Sequence, residues 1–448
     1  MNRSPSQSPC IRREGWNVSR LKHYVQLNPT KGEISQLPKD TEVSFLPMEA
    51  VSESGDFDVS RFGTISDYVS GYTYFRDGDV LLAKITPCFE NGKTALVHGL
   101  KNGIGFGSTE FHVLRARENM DRSYLAYVVR SRAFRAFGEA AMIGAAGQKR
   151  VPESFVSEFR QPFPPFDEQQ AIASFLDHQT TKLDQLVEKK QRLIELLQEK
   201  RQALITQAVT KGLDPNVLMK DSGIPWLGEV PAHWDIVKTS RVAVSIQTGP
   251  FGSQLHAVDY VDDGIPVINP SHLVDGDIVP DPACAVSPAT KQRLSRHELM
   301  SGDIVFARRG EIGRCALVTE AAEGFLCGTG CFRLRLNSEI VNPAFVALSF
   351  STPWMRDLLL IQSVGSTMDN LNTGILASTP VLIPPLSEQH RIVQRVCEIS
   401  EAINRATRKL ERQVALLNEY RQTLITAAVT GQIDVRQYNL DHAEVVNQ

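Results

Sequence analysis

The chain has 448 residues, 42% hydrophobic and 22% charged, with a formal net charge of −3. That length exceeds one ordinary core and predicts two to four domains, and the balance is that of a soluble globular protein. The slightly acidic total does not mark a nucleic-acid binder, although a local basic face can coexist with acidic helices.

Residues 1–15 open the chain as a polar stretch with Pro5 and Pro9, read as a disordered leader. It has no apolar signal core, and no run of about 18 apolar residues follows, so a cytoplasmic location without a membrane span is expected. Seven cysteines without regular spacing suit a reducing compartment.

Residues 16–164 read as an α/β domain. Val80-Leu81-Leu82-Ala83 and Phe111-His112-Val113-Leu114 are strand-like runs, Arg122 to Ala141 is helix-like, and Glu53-Ser54-Gly55-Asp56 and Glu90-Asn91-Gly92 are turns. A long helix is predicted over 165–212. Pro165 keeps the preceding residues out of the helix, Asp167 with Gln170 reads as a capping box, and Gly212 is a stop. Leu176, Leu183, Lys190, Leu197 and Leu204 repeat every seven residues. Ile172, Gln179, Leu186, Leu193 and Lys200 are read as the companion row on the same face. About 40 residues of helix span roughly 60 Å.

Residues 213–384 hold a turn-rich connector and a second α/β text. It repeats the first: Gly302-Asp303-Ile304-Val305-Phe306-Ala307-Arg308 matches Gly78-Asp79-Val80-Leu81-Leu82-Ala83-Lys84, and Trp234 answers Trp16. A second long helix is predicted over 385–431. Pro384-Pro385-Leu386-Ser387-Glu388-Gln389 matches Pro164-Pro165-Phe166-Asp167-Glu168-Gln169 at an offset of 220 (384 − 164). Val396, Ile403, Leu410, Leu417 and Leu424 form its heptad row, with Ile392, Ile399, Ala406, Gln413 and Tyr420 as companions. The first helix carries charge, Lys190 and Lys200, where the second carries bulk, Leu410 and Tyr420. Residues 432–448 read as a polar tail. The fold class is α/β (α+β), two such domains alternating with two long antiparallel helices that bury their stripes against each other as a coiled coil.

Enzyme motifs fail one by one. Gly92-Lys93-Thr94 lacks the upstream glycine of a phosphate-binding loop, because position 87 is Pro87. Phe163-Pro164-Pro165-Phe166 resembles the motif of DNA amino-methyltransferases, but Phe163 cannot accept from a target amine. Gly103 to Gly107 reads as a turn. Cys315, Cys327 and Cys331 lack the partners of a zinc site and read as small buried hydrophobes, and no metal site is expected. What remains is a repeated set of basic, amide and hydroxyl residues beside glycines: Lys84, Lys93, Gln148, Lys149 and Arg150 in the first domain, and Ser253, Gln254, Arg308, Arg309, Arg314, Ser366, Thr367, Asn370 and Asn372 in the second. These side chains suit base edges and phosphates.

The two helix openings, the helix ends Leu204 to Gly212 and Leu424 to Gly431, and Ser222-Gly223-Ile224-Pro225-Trp226-Leu227-Gly228 ahead of Trp234 resemble the specificity subunit of type I restriction-modification enzymes. The first domain departs in lacking the Gly-Ile-Pro-Trp-Leu-Gly preface before Trp16. The resemblance implies two target recognition domains, each reading one half of a bipartite double-stranded DNA site, with the helices fixing the gap. It implies two modification subunits docked on the helices, with S-adenosylmethionine and adenine methylation. It also implies restriction subunits with ATP and Mg, and no cofactor or catalytic group in this chain. A self-contained DNA methyltransferase or nuclease is the alternative.

Overall fold

The computed structural model describes residues 15–145, 147–309, 312–363 and 371–437. The chain folds into two compact units, Met1–Gln191 with Glu411–Gln448, and Arg192–Leu410. This division cuts across the linear one, because each unit takes a segment of both long helices.

In the first unit a four-stranded antiparallel sheet has the order Val25–Leu27, Phe111–Ala116, Asp79–Ala83, Thr94–Leu96. A second sheet runs Phe62–Thr64, Glu42–Leu46, Ile104–Gly107, Thr73–Arg76, with Glu42–Leu46 parallel to Ile104–Gly107. The predicted helix Arg122 to Ala141 is two, Arg122–Arg130 and Arg132–Ala140, because Ser131 is extended and caps the second by accepting from the Phe134 N–H. The second unit repeats this plan. Its first sheet is Ala243–Thr248, Cys331–Leu336, Ile304–Ala307, Cys315–Leu317, and its second sheet again carries one parallel pair, Ile265–Ile268 with Leu326–Cys327. Even the buried ion pair recurs. Arg115 grips Asp79 through Nε and Nη2, both at 2.7 Å, and Arg335 grips Asp303 in the same two-pronged way at the same distances.

An antiparallel strand pair closes each domain just before its helix: Asn17–Arg20 with Arg160–Phe163, and Asp235–Lys238 with Pro380–Ile383. The long helices then run over Phe166–Lys211 and Leu386–Val429. Because the first begins at Phe166, Asp167 is not the N-cap. It lies with Glu168 in the first turn, where carboxylates favour the positive helix end. The helix entry is held instead by Gln169, which is buried. Its amide Nε2 donates to Pro164 O (3.0 Å) and Asn119 O (3.2 Å), and its Oε1 accepts the Asp121 N–H (2.9 Å). Gln389 repeats the set with Pro384 O, Ile340 O and the Asn342 N–H.

The tryptophans lie at the same junctions. Trp16 Nε1 donates to Glu168 Oε2 and Trp234 Nε1 to Glu388 Oε2, each at 3.2 Å. Each helix ends in a left-handed glycine, Gly212 at φ +79° and Gly431 at φ +76°. A Cβ on Gly431 would meet the Trp16 ring at 3.2 Å, and one on Gly212 the Trp234 ring at 3.3 Å. A Cβ would therefore be tight at both places, where the positive φ already favours glycine.

Within each unit the two helix segments run antiparallel. In the first, Lys190 Nζ donates to Gln413 Oε1 (2.8 Å), and Arg421 pairs with Asp184 (3.2 Å). In the second, Arg201 donates to Asn404 Oδ1 (3.1 Å). The predicted companion rows hold at their starts, where Ile172 and Ile392 are buried, but through the middle of the first helix the row is displaced by one residue. Leu186 and Leu193 are 46% and 45% exposed and Tyr420 is exposed, whereas Ile194, Ala208 and Ala428 are buried. A heptad row has neighbours at both i+3 and i+4. The sequence reading took Leu176 with Gln179, while the fold takes Leu176 with Thr180, so the seam runs Thr180, Val187, Ile194, Arg201, Ala208. The well-buried seam lies near the domains, where Leu176, Leu183 and Leu424 join the first core and Ile205, Ile392 and Val396 the second. Each such side chain contributes about 1.5–3 kcal/mol by leaving water. Leu197, Leu204, Leu410 and Leu417 are half-buried, and Ile403 is buried. Past Gly431 the chain is not simply a tail, since Val435 and Ile433 pack on the first core; residues 438–448 lie outside the described residues.

Candidate nucleic-acid interface

One end of the main sheet in each unit gathers the basic and amide residues singled out from the sequence. In the first unit, Ala83 pairs with Phe111 at that end, and Lys84 leaves the strand there. The Lys84 N–H donates to Glu110 O (2.9 Å), and Lys84 O accepts the Val151 N–H (2.8 Å). In the second unit, the Arg308 N–H donates to Gly330 O (2.9 Å), and Arg308 O accepts the Leu371 N–H (3.1 Å). The repeat thus places Lys84 and Arg308 in the same backbone setting, where each accepts one further N–H, from Val151 or from Leu371. Both side chains are half-buried at the junction.

The loop before Val151 carries Gln148, Lys149 and Arg150, all exposed. It is stitched to the sheet end by the Thr86 N–H donating to Lys149 O (2.9 Å). Arg150 is paired with Glu110, through Nη2 to Oε1 (2.8 Å) and Nε to Oε2 (2.9 Å). The Arg150 guanidinium, assisted by Lys84, holds the Glu110 carboxyl below its usual range. Beneath lies His112, whose Nε2–H donates to Val151 O (2.9 Å) while Nδ1 faces the Asn28 amide (3.4 Å). Burial pushes this imidazole below its ordinary value. Glu110 and His112 were not singled out from the sequence. Acidic and neutral side chains beside cations carry no signature until the strands bring them together.

Two of the expected contact residues turn inward. Lys93 Nζ donates to Met48 O (3.2 Å), and Arg314 Nη1 lies near Pro270 O (3.5 Å) and Leu273 O (3.3 Å). Both tie the same kind of turn to the sheet, so their equivalence in the repeat has a scaffolding side. Gln254 Oε1 accepts the Phe251 N–H (3.3 Å), and Asn372 caps the helix Thr373–Ser378 by accepting the Ile375 N–H (2.9 Å). Arg309 is exposed, and Ser253 belongs to the short turn Gly252–Gln254. Ser366, Thr367 and Asn370 lie outside the described residues.

Cys315, Cys327 and Cys331 are buried. Burial pushes the Cys315 and Cys327 thiols up to about 12 and that of Cys331 up as well, which suits packing rather than metal ligation. His272, Asp281 and Cys284 place potential ligand atoms within 4.8 Å of one another. His272 Nδ1, however, accepts the Asn269 N–H (3.2 Å), which leaves the ring proton on Nε2 and no lone pair for a cation. Among the described residues, no single helix is long and apolar enough to cross a membrane.

The type I restriction modification DNA specificity domain family matches residues 13–196 and 245–414. The EcoAI specificity subunit, a type I restriction enzyme subunit from Escherichia coli, is 37% identical over 246 residues, covering 54% of this chain and 40% of its own length. The chain thus aligns with less than half of that relative. The EcoEI specificity subunit, also from Escherichia coli, is 24% identical over 492 residues, covering 91% of this chain and 81% of its own length. Among solved structures, a chain from work on complex assembly and conformational transition of the type I R-M system superposes with a TM-score of 0.74 at 19% identity, over 95% of this chain and all of that one. The HsdS subunit from Thermoanaerobacter tengcongensis gives a TM-score of 0.52 at 18% identity, over 95% and 99% of the two chains. At these identities the superpositions speak for the fold. The family match spans both units and both sheet ends described above, and the chain belongs to the type I restriction modification DNA specificity domain family.

Proposed function

We propose that this chain is the DNA-reading subunit of a type I restriction-modification complex, with each unit reading one half of a bipartite site. The observation that carries the reading is the duplicated sheet end, where Lys84 and Arg308 hold the same two backbone bonds in each copy. Duplicated readers suit a split sequence because each half-site meets its own loop set. The two long helices, free of internal proline and glycine, set the unspecified gap between the half-sites, since helix rise is nearly invariant. Two modification subunits dock on these helices and supply S-adenosylmethionine and the methyl transfer to adenine, with the target base turned out of the stack. Restriction subunits with ATP and Mg complete the assembly. The reading gives this chain recognition and no chemical step.

The test is methylation mapping of host DNA after co-expression with modification subunits, for the natural chain and for one in which residues 16–164 come from another such subunit. One half-site is expected to change and the other to stay. A change in both, or in neither, overturns the modular reading. Methyl transfer or cleavage by the purified chain alone, given S-adenosylmethionine or Mg, would favour the self-contained enzyme instead.

A further inference from the structure

At the sheet end of the second unit, one loop projects an aromatic ring on a braced tip. The strand Ala243–Thr248 runs into Gly249-Pro250-Phe251-Gly252. Gly249 and Pro250 are buried, whereas Phe251 is 59% exposed. The stem is fixed closely. The Gly249 N–H donates to Cys331 O (3.0 Å), and a Cβ on Gly249 would stand 1.8 Å from Gly328 O, so the two backbones touch. Beyond the tip, Gln254 Oε1 accepts the Phe251 N–H, and Arg293 holds Gln254 O (2.6 Å) and Asp259 (2.9 Å). At 59% exposure the Phe251 ring is not buried in its own domain. It stacks on no other ring among the described residues, whereas the similarly exposed Phe62 has the Lys101 ammonium 5.6 Å from its ring centre.

The turn that seats this tip, Gly328 to Cys331, also seats Arg308, whose N–H donates to Gly330 O. The ring thus shares its foundation with Arg308, and Arg309 follows in the same loop. An exposed apolar ring whose supporting turn also seats a cation-bearing segment has the chemistry of a wedge that enters stacked bases while nearby charges hold phosphates. Among the described residues, the first unit has no such ring at the matching place. Its matching strand Val25–Leu27 leads into Asn28-Pro29-Thr30-Lys31, with Pro29 buried and Lys31 bound to Val69 O.

We propose that Phe251 is an apolar wedge that inserts into the base stack of the DNA half-site read by the second unit, and that the first half-site is read without one. This rests on the DNA-reading role proposed above. The experiment uses the chain assembled with its modification subunits and a duplex carrying the site found by methylation mapping. 2-Aminopurine is placed in turn in each half-site, away from the methylated adenines so that base flipping does not contribute. The natural complex is expected to raise the fluorescence in the second half-site only. Phe251→Ala loses that rise and binds about tenfold or more weakly, as befits the loss of one ring–base stack. Phe251→Leu, which keeps apolar bulk, retains most of both.

Unchanged affinity and fluorescence in Phe251→Ala overturns the proposal. So does a weakened assembly with modification subunits while DNA affinity holds, which would assign the ring to a protein contact. Failure of the natural complex to bind any duplex is a different result and counts against the DNA-reading role itself.

Discussion

Lys190 Nζ donates to Gln413 Oε1 at 2.8 Å, placing a charged hydrogen bond on the helix seam of the first unit. The positions related by the 220-residue offset are Leu410 (190 + 220), which is half-buried, and Leu193 (413 − 220), which is 45% exposed, so the second unit has apolar residues where the first has a hydrogen-bonded polar pair. Replacing only Lys190 with Leu leaves Gln413 without its donor and is expected to destabilise the first unit by about 0.5–1.5 kcal/mol. Replacing Lys190 and Gln413 together with Leu should recover that loss or exceed the natural stability. A double-mutant cycle read by urea unfolding checks this. Two single losses that simply add would show the pair to be uncoupled.

Gln169 is the more demanding position. Its amide satisfies two carbonyls and one N–H at the point where the domain passes into the helix, and it is fully enclosed. Gln169→Glu keeps the shape but cannot donate to Pro164 O and Asn119 O, and it also buries a carboxyl. It is expected to cost at least as much as Gln169→Leu, on the order of 2–4 kcal/mol. Unfolding midpoints of the two variants decide the matter. A mild Gln169→Glu would mean that water reaches the junction. The same ordering is expected at Gln389.

Much of this was legible because the chain says it twice. The paired strings Gly78 to Lys84 and Gly302 to Arg308 pointed to equivalent strands, and the structure gives them equivalent backbone partners. Trp16 and Trp234 could be matched but not explained, because their carboxylate partners Glu168 and Glu388 lie about 150 residues away along the chain. Repetition did not settle the side-chain roles. Lys93 and Arg314 recur because each ties a turn to the sheet, and positive charge alone does not tell a phosphate contact from a bond to a carbonyl. The companion helix row held only in part. Beside Leu176, Leu183 and Leu197, both flanking rows carry apolar residues, Leu186 and Leu193 on one side and Val187 and Ile194 on the other, so the pattern alone does not choose between them, and the fold buries Ile194 and leaves Leu186 and Leu193 outward.

The buried His112 imidazole has a folded pKa below its ordinary value of about 6.5. The unfolded ring takes up a proton near that value, while the folded ring resists it. Its contribution to stability is therefore fully present above about pH 6.5 and is lost as pH falls from there toward the depressed folded value. His112→Gln stays neutral and keeps a donor and an acceptor for Val151 O and Asn28. Its unfolding free energy should vary less than that of the natural chain between about pH 7 and pH 5. His297 is also depressed by burial in the second unit, so the natural-minus-variant difference is the quantity to read. Parallel pH profiles would remove His112 from the account.

The contrast between Lys149 and Lys93 bears most directly on where DNA lies. Lys149 is exposed on the loop edge, while Lys93 spends its ammonium on Met48 O. If the loop edge meets phosphates, Lys149→Ala should lower the slope of log affinity against log salt by about 1 and leave the unfolding midpoint nearly unchanged. Lys93→Ala should do the reverse, keeping the salt slope and losing about 1 kcal/mol of stability as the turn at Met48 comes loose. Salt titrations of the assembled complex on its mapped site, with unfolding curves of the same variants, separate the two. If Lys93→Ala flattens the slope as much as Lys149→Ala does, its bond to Met48 O does not hold it away from DNA. The contact surface would then extend down the stem of the sheet end, and the loop edge alone would not define it.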